Sequence, residues 1–250
     1  REEGPESHQA KAGTPTMGGA FMMIALVLGV AIFAPWNVGT GMLLFLTLGH
    51  SLLGFFDDFV KAVKKRNLGL TAKQKLLGQF ILAAVFCYCI TEIMVVPTTL
   101  WIPVADVQLQ LGWGYYVLAF LIIVGATNAV NLTDGLDGLA SGTSAVAAIA
   151  FSVIGLMAAS MTNSIGAESV AYFGAIVAAV CLGFLVYNVN PAKVFMGDTG
   201  SLALGGAFAA MAILTKTELL LVVIGGIFVM EALSVIIQVI SFKTRGVRVF

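Results

Sequence analysis

Long apolar stretches separated by short polar connections dominate the chain. Most of them approach the roughly 20 residues that an α-helix needs to cross a bilayer. About eight occur, at Met17–Trp36, Thr40–Phe56, Leu76–Val96, Gly114–Val130, Leu139–Ser160, Val170–Tyr187, Leu202–Thr215 and Leu219–Phe242. The pattern predicts an all-α polytopic integral membrane protein with about eight transmembrane helices. Since no second domain or repeat is indicated, residues 1–250 read as one integral membrane domain.

Composition supports the membrane assignment, and the placement of charge predicts the orientation. The chain is 59% hydrophobic and only 10% charged, whereas soluble domains carry about 25% charged residues. If the spans alternate, one set of connections holds every Lys and Arg except Lys216. Basic connections stay in the cytoplasm, so this set is predicted to be cytoplasmic. The formal net charge is zero, and no nucleic-acid partner is expected.

One connection on the opposite side has the period of a β-strand. Alternate positions are apolar on both sides of Ala105-Asp106, at Leu100, Ile102, Val104, Val107, Leu109 and Leu111. Strict alternation is typical of strands. A short extracytoplasmic β-hairpin is therefore predicted near residues 98–112.

Polar residues collect at the cytoplasmic ends of the spans, beginning with the adjacent carboxylates of Asp57 and Asp58. These acids stand between hydrocarbon and the negative end of a helix dipole, so a cation, lysines or both must compensate them. Pairing with the lysines that follow would explain them equally well. That basic loop contains Lys61, Lys64, Lys65, Arg66, Lys73 and Lys75. Most of these side chains are expected to contact anionic lipid, and one or two to reach phosphates.

Two further polar groups lie at predicted span ends. Asn128, Asn131 and Asp134 recur every third residue and would form a stripe on one helix face. Asp198 precedes a span in a glycine-containing segment, where a helix N-terminus with accessible amides is a ready anion site. A plain helix cap is the simpler explanation of Asp198, but it does not account for the nearby Asn188.

Acids and lysines gathered on one face suit a Mg²⁺–phosphate site. Mg²⁺ needs few protein carboxylates and keeps water and substrate oxygens as ligands. Phosphoryl transfer depends on positioning and charge neutralisation, which this set of residues can supply. Because no Walker A loop is present, an ATP-driven machine is not indicated.

With these motifs the chain resembles the polyprenyl-phosphate sugar-1-phosphate transferases. The matching segments are Gly13-Thr14-Pro15-Thr16-Met17-Gly18-Gly19, Phe56-Asp57-Asp58-Phe59, residues 128–139, Phe195-Met196-Gly197-Asp198-Thr199-Gly200-Ser201 and Phe242-Lys243-Thr244-Arg245-Gly246. The acidic motifs mark the wider family. The first segment favours the members that transfer phospho-N-acetylmuramoyl-pentapeptide.

The resemblance implies a reaction and a set of site residues. UDP-N-acetylmuramoyl-pentapeptide and undecaprenyl phosphate would give lipid I and UMP with Mg²⁺, on the cytoplasmic face of a multi-pass protein in the bacterial plasma membrane. It implies that Asp57 and Asp58 are catalytic, that Asp198 is the metal ligand, and that Phe195 stacks on uracil. The residues expected near the substrates are Lys11, Thr16, Lys65, Lys73, Asn128, Asn131, Asp134, Asn188, Phe195 and Gln238. Helix–helix hydrogen bonding is an equal explanation for Gln238, which lies inside the last span.

The chain departs from the family pattern at its ends. The family has ten spans and a histidine run soon after the Lys-Thr-Arg-Gly segment, and neither feature is complete here. We therefore expect that residues 1–250 are truncated at both ends.

Two other functions share part of this pattern. A sister enzyme that moves N-acetylglucosamine-1-phosphate would share the acids. A transporter or flippase fits less well, because its polar residues should lie near the bilayer midplane. The small pairs Gly205-Gly206 and Gly225-Gly226 would pack helices or a homodimer equally well.

Overall fold

The structure is a computed structural model that describes residues 14–64 and 68–247. Nine helices and two strands occupy these ranges. They are α1 (Gly19–Phe33), α2 (Val38–Lys64), α3 (Ala72–Glu92), β1 (Thr99–Ile102), β2 (Val107–Gln110), α4 (Gly114–Thr133), α5 (Leu139–Thr162), α6 (Ile165–Asn188), α7 (Gly197–Leu214), α8 (Leu220–Ile224) and α9 (Gly226–Arg245).

The all-α polytopic membrane fold is confirmed. Within the described ranges, seven helices are long and apolar enough to cross a membrane, namely α2 to α7 and α9. The first predicted span corresponds to α1, which has only 15 residues. The last predicted span is broken: α8 ends at Ile224, and α9 begins at Gly226. The break falls at Gly225-Gly226, because glycine is the weakest helix former apart from proline.

Two helix ends differ from the hydropathy prediction in a way that shapes the site. Helix α2 continues eight residues beyond Phe56 and carries Asp57 and Asp58 inside its last turns. Lys61 and Lys64 complete that end and favour it through the helix dipole. Helix α7 begins at Gly197, five residues before the predicted Leu202. Hydropathy marks where the membrane begins, whereas these helices extend past it.

The predicted β-hairpin is also present. Strands β1 and β2 pair antiparallel with Leu100 opposite Leu109 and Ile102 opposite Val107. These four side chains share one face of the hairpin because neighbouring residues on a strand point to opposite faces. The short hairpin follows α3 and precedes α4.

Helix α7 forms the centre of the bundle. Every residue from Thr199 to Leu214 is buried, and α1, α2, α4 and α5 all contact this helix. Helices α5 and α6 pack along each other. The N-terminus of α7 therefore meets the ends of its neighbours, and this meeting point is where the acidic motifs converge.

At its other end, α7 leads into a buried ion pair. Glu218 is 2% exposed and accepts hydrogen bonds from Tyr115 Oη at 2.6 Å and from Lys216 Nζ at 2.8 Å. The Lys216 ammonium lies 3.9 Å from the centre of the Tyr115 ring. Burial lowers the pKa of Lys216, and the Glu218 carboxylate opposes that shift. These contacts tie the loop after α7 to α4.

Candidate active site

Three carboxylates from two helices form a compact cluster. Asp57 and Asp58 lie near the end of α2, and Asp198 lies in the first turn of α7. Each offers one oxygen, and the three oxygens lie within 4.8 Å of one another. Asp57 and Asp58 are buried, whereas the Asp198 side chain is 16% exposed. The structure thus joins two motifs that are about 140 residues apart in sequence.

The cluster depends on close contact between the two helix backbones at Gly54. This residue lies one helical turn before Asp58. A Cβ built on Gly54 would overlap the carbonyl group of Asp198. Any larger residue would push the start of α7 away from α2.

Two lysines stand between the carboxylates. Lys75 Nζ lies 2.7 Å from Asp198 Oδ2 and 3.1 Å from Asp57 Oδ1. Lys61 Nζ lies 2.5 Å from Asp57 Oδ2, 3.3 Å from Asp198 Oδ2 and 3.9 Å from Asp58 Oδ1. Two ammonium groups against three carboxylates leave one negative charge when all are ionised. The cluster is therefore suited to a further cation.

The start of α7, where the sequence predicted an anion site, is occupied by a carboxylate of the protein itself. Asp58 accepts hydrogen bonds from the amides of Asp198 and Thr199 at 3.3 and 2.9 Å. The backbone of Gly197 lies near the carboxyl of Asp134. Gly200 does not open the backbone to a ligand either, since a Cβ there would overlap Met196 and crowd the adjacent α1. The amides of Asp198 and Thr199 are therefore not available to a further anion.

Asp134 follows α4 and is electrostatically coupled to the cluster. Burial raises the pKa of Asp134 to about 7. The Gly197 amide counteracts this rise, and the charges of Asp198 and Asp58 add to it. Its charge therefore changes near neutral pH.

The predicted stripe of polar residues on α4 divides between two neighbours. Asn131 Nδ2 donates to Asp198 Oδ1 at 3.0 Å and to Ser201 Oγ at 2.8 Å. Asn128 instead donates to the carbonyl of Val124 at 2.8 Å and more weakly to Gln79 on α3 at 3.4 Å. Only Asn131 and Asp134 thus reach the cluster through these contacts.

Asn188 holds together the loops beside the cluster. It is 2% exposed, and its Oδ1 accepts hydrogen bonds from the Gly138 amide and the Ser141 hydroxyl at 3.1 and 2.9 Å. Its Nδ2 donates to the carbonyl of Val194 at 3.0 Å. With its polar atoms engaged inside the protein, Asn188 shapes the segment that carries Phe195.

Phe195 and Thr16 lie on adjoining segments at the start of α7. The Phe195 amide donates to the carbonyl of Pro15 at 2.8 Å, and the side chain of Phe195 is half-buried. Thr16 is exposed, and a Cβ built on Gly197 would lie 3.3 Å from its hydroxyl oxygen. The two segments are thus joined beside the first residue of α7.

Of the remaining predicted substrate-contacting residues, the structure describes only Lys73 and Gln238. Lys11 and Lys65 lie outside the described residues. Lys73 is exposed and forms no ion pair with a described acid. Gln238 is half-buried on α9 and makes no hydrogen bond to another described residue.

Lys61 and Lys75 were absent from the predicted set of site residues, although the sequence held a signal for each. Lys61 follows Asp57 by four residues, and i,i+4 partners share a helix face. Lys75 precedes the buried Gln79 by four residues on α3. A capping box of Thr71 and Gln74 predicts the start of α3 and hence its helical phase.

Comparison with known proteins shows the family of the chain. The family model described as "Glycosyl transferase family 4" matches residues 40–216, which include all three clustered carboxylates. The chain belongs to glycosyl transferase family 4. Three relatives named phospho-N-acetylmuramoyl-pentapeptide-transferase come from Bacillus pumilus (strain SAFR-032), Geobacillus sp. (strain WCH70) and Bacillus thuringiensis (strain Al Hakam).

These relatives align with the whole chain. Identity over 254 aligned residues is 54% for the B. pumilus relative and 55% for the other two. The alignments cover 100% of this chain and 76% of each relative. The chain is therefore a transferase with membrane-spanning helices, and the family resemblance inferred from its motifs is confirmed.

Proposed function

We propose that the protein transfers phospho-N-acetylmuramoyl-pentapeptide from its UDP-linked donor to undecaprenyl phosphate. The products would be lipid I and UMP, in peptidoglycan synthesis. The observation that carries this proposal is identity of 54–55% over the whole chain with transferases named for that phosphosugar. The charge pattern of the connections supports an active site on the cytoplasmic face of the bacterial plasma membrane.

The donor set of the cluster fits Mg²⁺. Three carboxylates offer oxygen atoms within 4.8 Å of one another, and Mg²⁺ takes oxygen ligands in sites that also use substrate phosphates. Asp58 already accepts three hydrogen bonds from α7, so Asp198, whose side chain is the most exposed of the three, would hold the ion. When bound, Mg²⁺ would neutralise charge on the diphosphate of the donor.

The protein's own residues would orient the reacting phosphates. An oxygen of the lipid phosphate attacks the β-phosphorus of the donor, and the bond to the bridging oxygen of UMP breaks. Asp57 would orient the lipid phosphate and accept its proton if it arrives protonated. Lys61 and Lys75 would exchange carboxylate contacts for phosphate contacts and balance the charge that develops. A route through a phosphosugar adduct on an aspartate is the rival sequence of steps.

The function is tested by product formation with the full-length protein in detergent. UDP-N-acetylmuramoyl-pentapeptide, undecaprenyl phosphate and Mg²⁺ should give UMP and a lipid-linked phosphosugar. UDP-N-acetylglucosamine in its place serves as the specificity control. Efficient turnover of that control without turnover of the pentapeptide donor would assign the chain to a sister enzyme. A radiolabelled enzyme adduct formed without lipid would favour the two-step route.

A homodimer remains a prediction. Sedimentation of the purified protein at several detergent concentrations would measure its mass. A monomer under all conditions that retain turnover would contradict the dimer.

A further inference from the structure

The two adjacent aspartates on α2 have different kinds of partner. Asp58 Oδ2 accepts hydrogen bonds from the amide and the hydroxyl of Thr199 at 2.9 and 2.7 Å, and its Oδ1 accepts one from the amide of Asp198 at 3.3 Å. Asp58 is 7% exposed. Both of its oxygens therefore hold the first turn of α7.

Asp57 contacts two cations, and its Oδ1 also accepts a hydrogen bond from the amide of Leu70, in the loop before α3, at 2.7 Å. Lys61 and Lys75 both contact Asp57, and the same two ammonium groups contact Asp198. Lys61 is farther from Asp58, at 3.9 Å. The two lysine ammonium groups, which could release a carboxylate and bind a phosphate instead, thus contact Asp57 and Asp198 more closely than Asp58.

The backbone around Asp58 is shaped to receive its side chain. Gly197 has φ +75°, a conformation that favours glycine, and a Cβ there would lie only 2.7 Å from Asp58 Oδ2. Asp58 consequently holds two consecutive amides, those of Asp198 and Thr199, at the positive end of α7, where negative charge is stabilising.

We propose that Asp58 is a positioning residue that caps α7 and thereby fixes the carboxylate of Asp198 against Asp57 and the two lysines. On this view Asp58 does not touch the substrate, contrary to the expectation that both members of the pair are catalytic. The inference rests on the proposed function, because the geometry being fixed is that of the metal and phosphate site. A displacement of about 1 Å in such a site can cost about 100-fold in rate.

A double-mutant cycle in the full-length protein tests this role. Asp58→Ala removes both acceptor oxygens, and Thr199→Val removes the hydroxyl donor at similar volume. The readouts are Mn²⁺ affinity by electron paramagnetic resonance without substrate, hydrogen exchange of the amides at 197–201, and kcat. Loss of a residue that orients a metal ligand costs about 10- to 100-fold in metal affinity. The loss of Mn²⁺ affinity in Asp58→Ala should lie in that range. The same variant should show faster amide exchange and a lower kcat.

The cycle should show strong coupling between Asp58 and Thr199. Thr199→Val alone should weaken Mn²⁺ binding by a smaller factor, and Thr199→Ser should recover most of that loss. The double variant should bind Mn²⁺ no more weakly than Asp58→Ala, because the hydroxyl then has no acceptor to lose. Asp57→Ala combined with Thr199→Val is the matched control, and its effects should multiply.

Two results would overturn the proposal. One is an Asp58→Ala variant with normal Mn²⁺ affinity and normal amide exchange but no turnover, since Asp58 would then act on the substrate. The other is multiplication of the Asp58 and Thr199 effects. If Asp58→Ala does not fold, equal Mn²⁺ affinity in Thr199→Val, Thr199→Ser and the wild type refutes the role. Because metal binding and exchange need no sugar nucleotide, these results do not depend on which donor the enzyme uses.

Discussion

Among individual residues, Lys75 is the side chain whose role the contacts define most sharply. Its ammonium group joins Asp57 on α2 to Asp198 on α7, although it lies on a third helix. Lys73, only two residues earlier, is exposed. Residues two apart on a helix point in different directions, so the helical phase separates the two lysines.

This separation leads to the first prediction. Lys75→Gln should lower kcat/KM by about 10- to 100-fold, as expected when a ligand-supporting contact is lost, because two carboxylates lose a shared counter-ion. Lys73→Gln should lower kcat/KM much less than Lys75→Gln does. Steady-state UMP release measures both variants, and Lys64→Gln at the exposed end of α2 controls for the loss of surface charge. A larger loss at Lys73 than at Lys75 would contradict the geometry.

The second prediction concerns pH and Asp134. In the folded protein the pKa of Asp134 is raised to about 7, whereas an aspartate in an unfolded chain has a pKa of about 3.9. The folded state therefore binds the proton of this carboxyl more tightly than the unfolded state does. Its contribution to stability is therefore greatest below the unfolded pKa and is lost as pH rises through about 7. The midpoint temperature of thermal unfolding, measured without metal, should therefore decrease as the pH rises from about 5 to about 8.

Asp134→Asn supplies the control, because the amide side chain has a similar size and shape but cannot ionise. Its unfolding midpoint should depend less on pH over the same interval. An unchanged slope in the variant would show that another group titrates.

Sequence motifs identified the three aspartates of the cluster but not which groups each aspartate contacts. Asp57, Asp58 and Asp198 could be selected because adjacent acids at a membrane boundary require compensation. Nothing local in the sequence indicated that Asp58 faces backbone amides across 140 residues, since that depends on how α2 and α7 pack. The same limit explains why Lys73 was selected and Lys75 was not.

For the helices, the contact at Gly54 shows how packing selects a small residue. Helices approach closely where small residues line the interface, and here α2 meets the carbonyl of Asp198 directly. Hydropathy located both spans correctly, but it could not indicate which face of α2 receives α7. It also misplaced the end of α2, because charged residues can continue a helix beyond the apolar region.

Alanine substitutions in α2 test this contact. Gly54→Ala should cost about 1–3 kcal/mol, as overpacking typically does, and should also weaken metal binding by displacing α7. Gly41→Ala on the same helix is the matched control, because a Cβ there meets nothing within 4 Å. Thermal unfolding and Mn²⁺ titration measure the two effects. Equal behaviour of the two variants would exclude a close approach at Gly54.

For the whole molecule, the alternation of the spans determines which loops share a compartment. The loops after α2, α4 and α6 all contribute to the site region, through Leu70, Asp134 and Phe195. The β-hairpin and the Lys216–Glu218 pair lie on connections of the other set. This arrangement agrees with the charge pattern, but charge alone predicts the orientation.

Cysteine labelling in intact cells tests that orientation. In a variant with Cys87, Cys89 and Cys181 replaced by alanine, a membrane-impermeant maleimide should label Asp106→Cys at the hairpin tip. It should label Lys64→Cys only after the membrane is opened. The reverse pattern would invert the proposed orientation.

The enclosure of α7 has a consequence for how the protein is made. Among the seven candidate spans, this helix has the lowest mean hydropathy, 1.3. Other parts of the chain bury 89% of its residues. Its weakly apolar surface suits contact with protein better than contact with lipid. Helices α2 and α4 are synthesised earlier and supply the faces against which α7 packs. Stable integration of α7 should therefore depend on helices that have already entered the bilayer, and the cluster of three carboxylates would be completed only when α7 joins them.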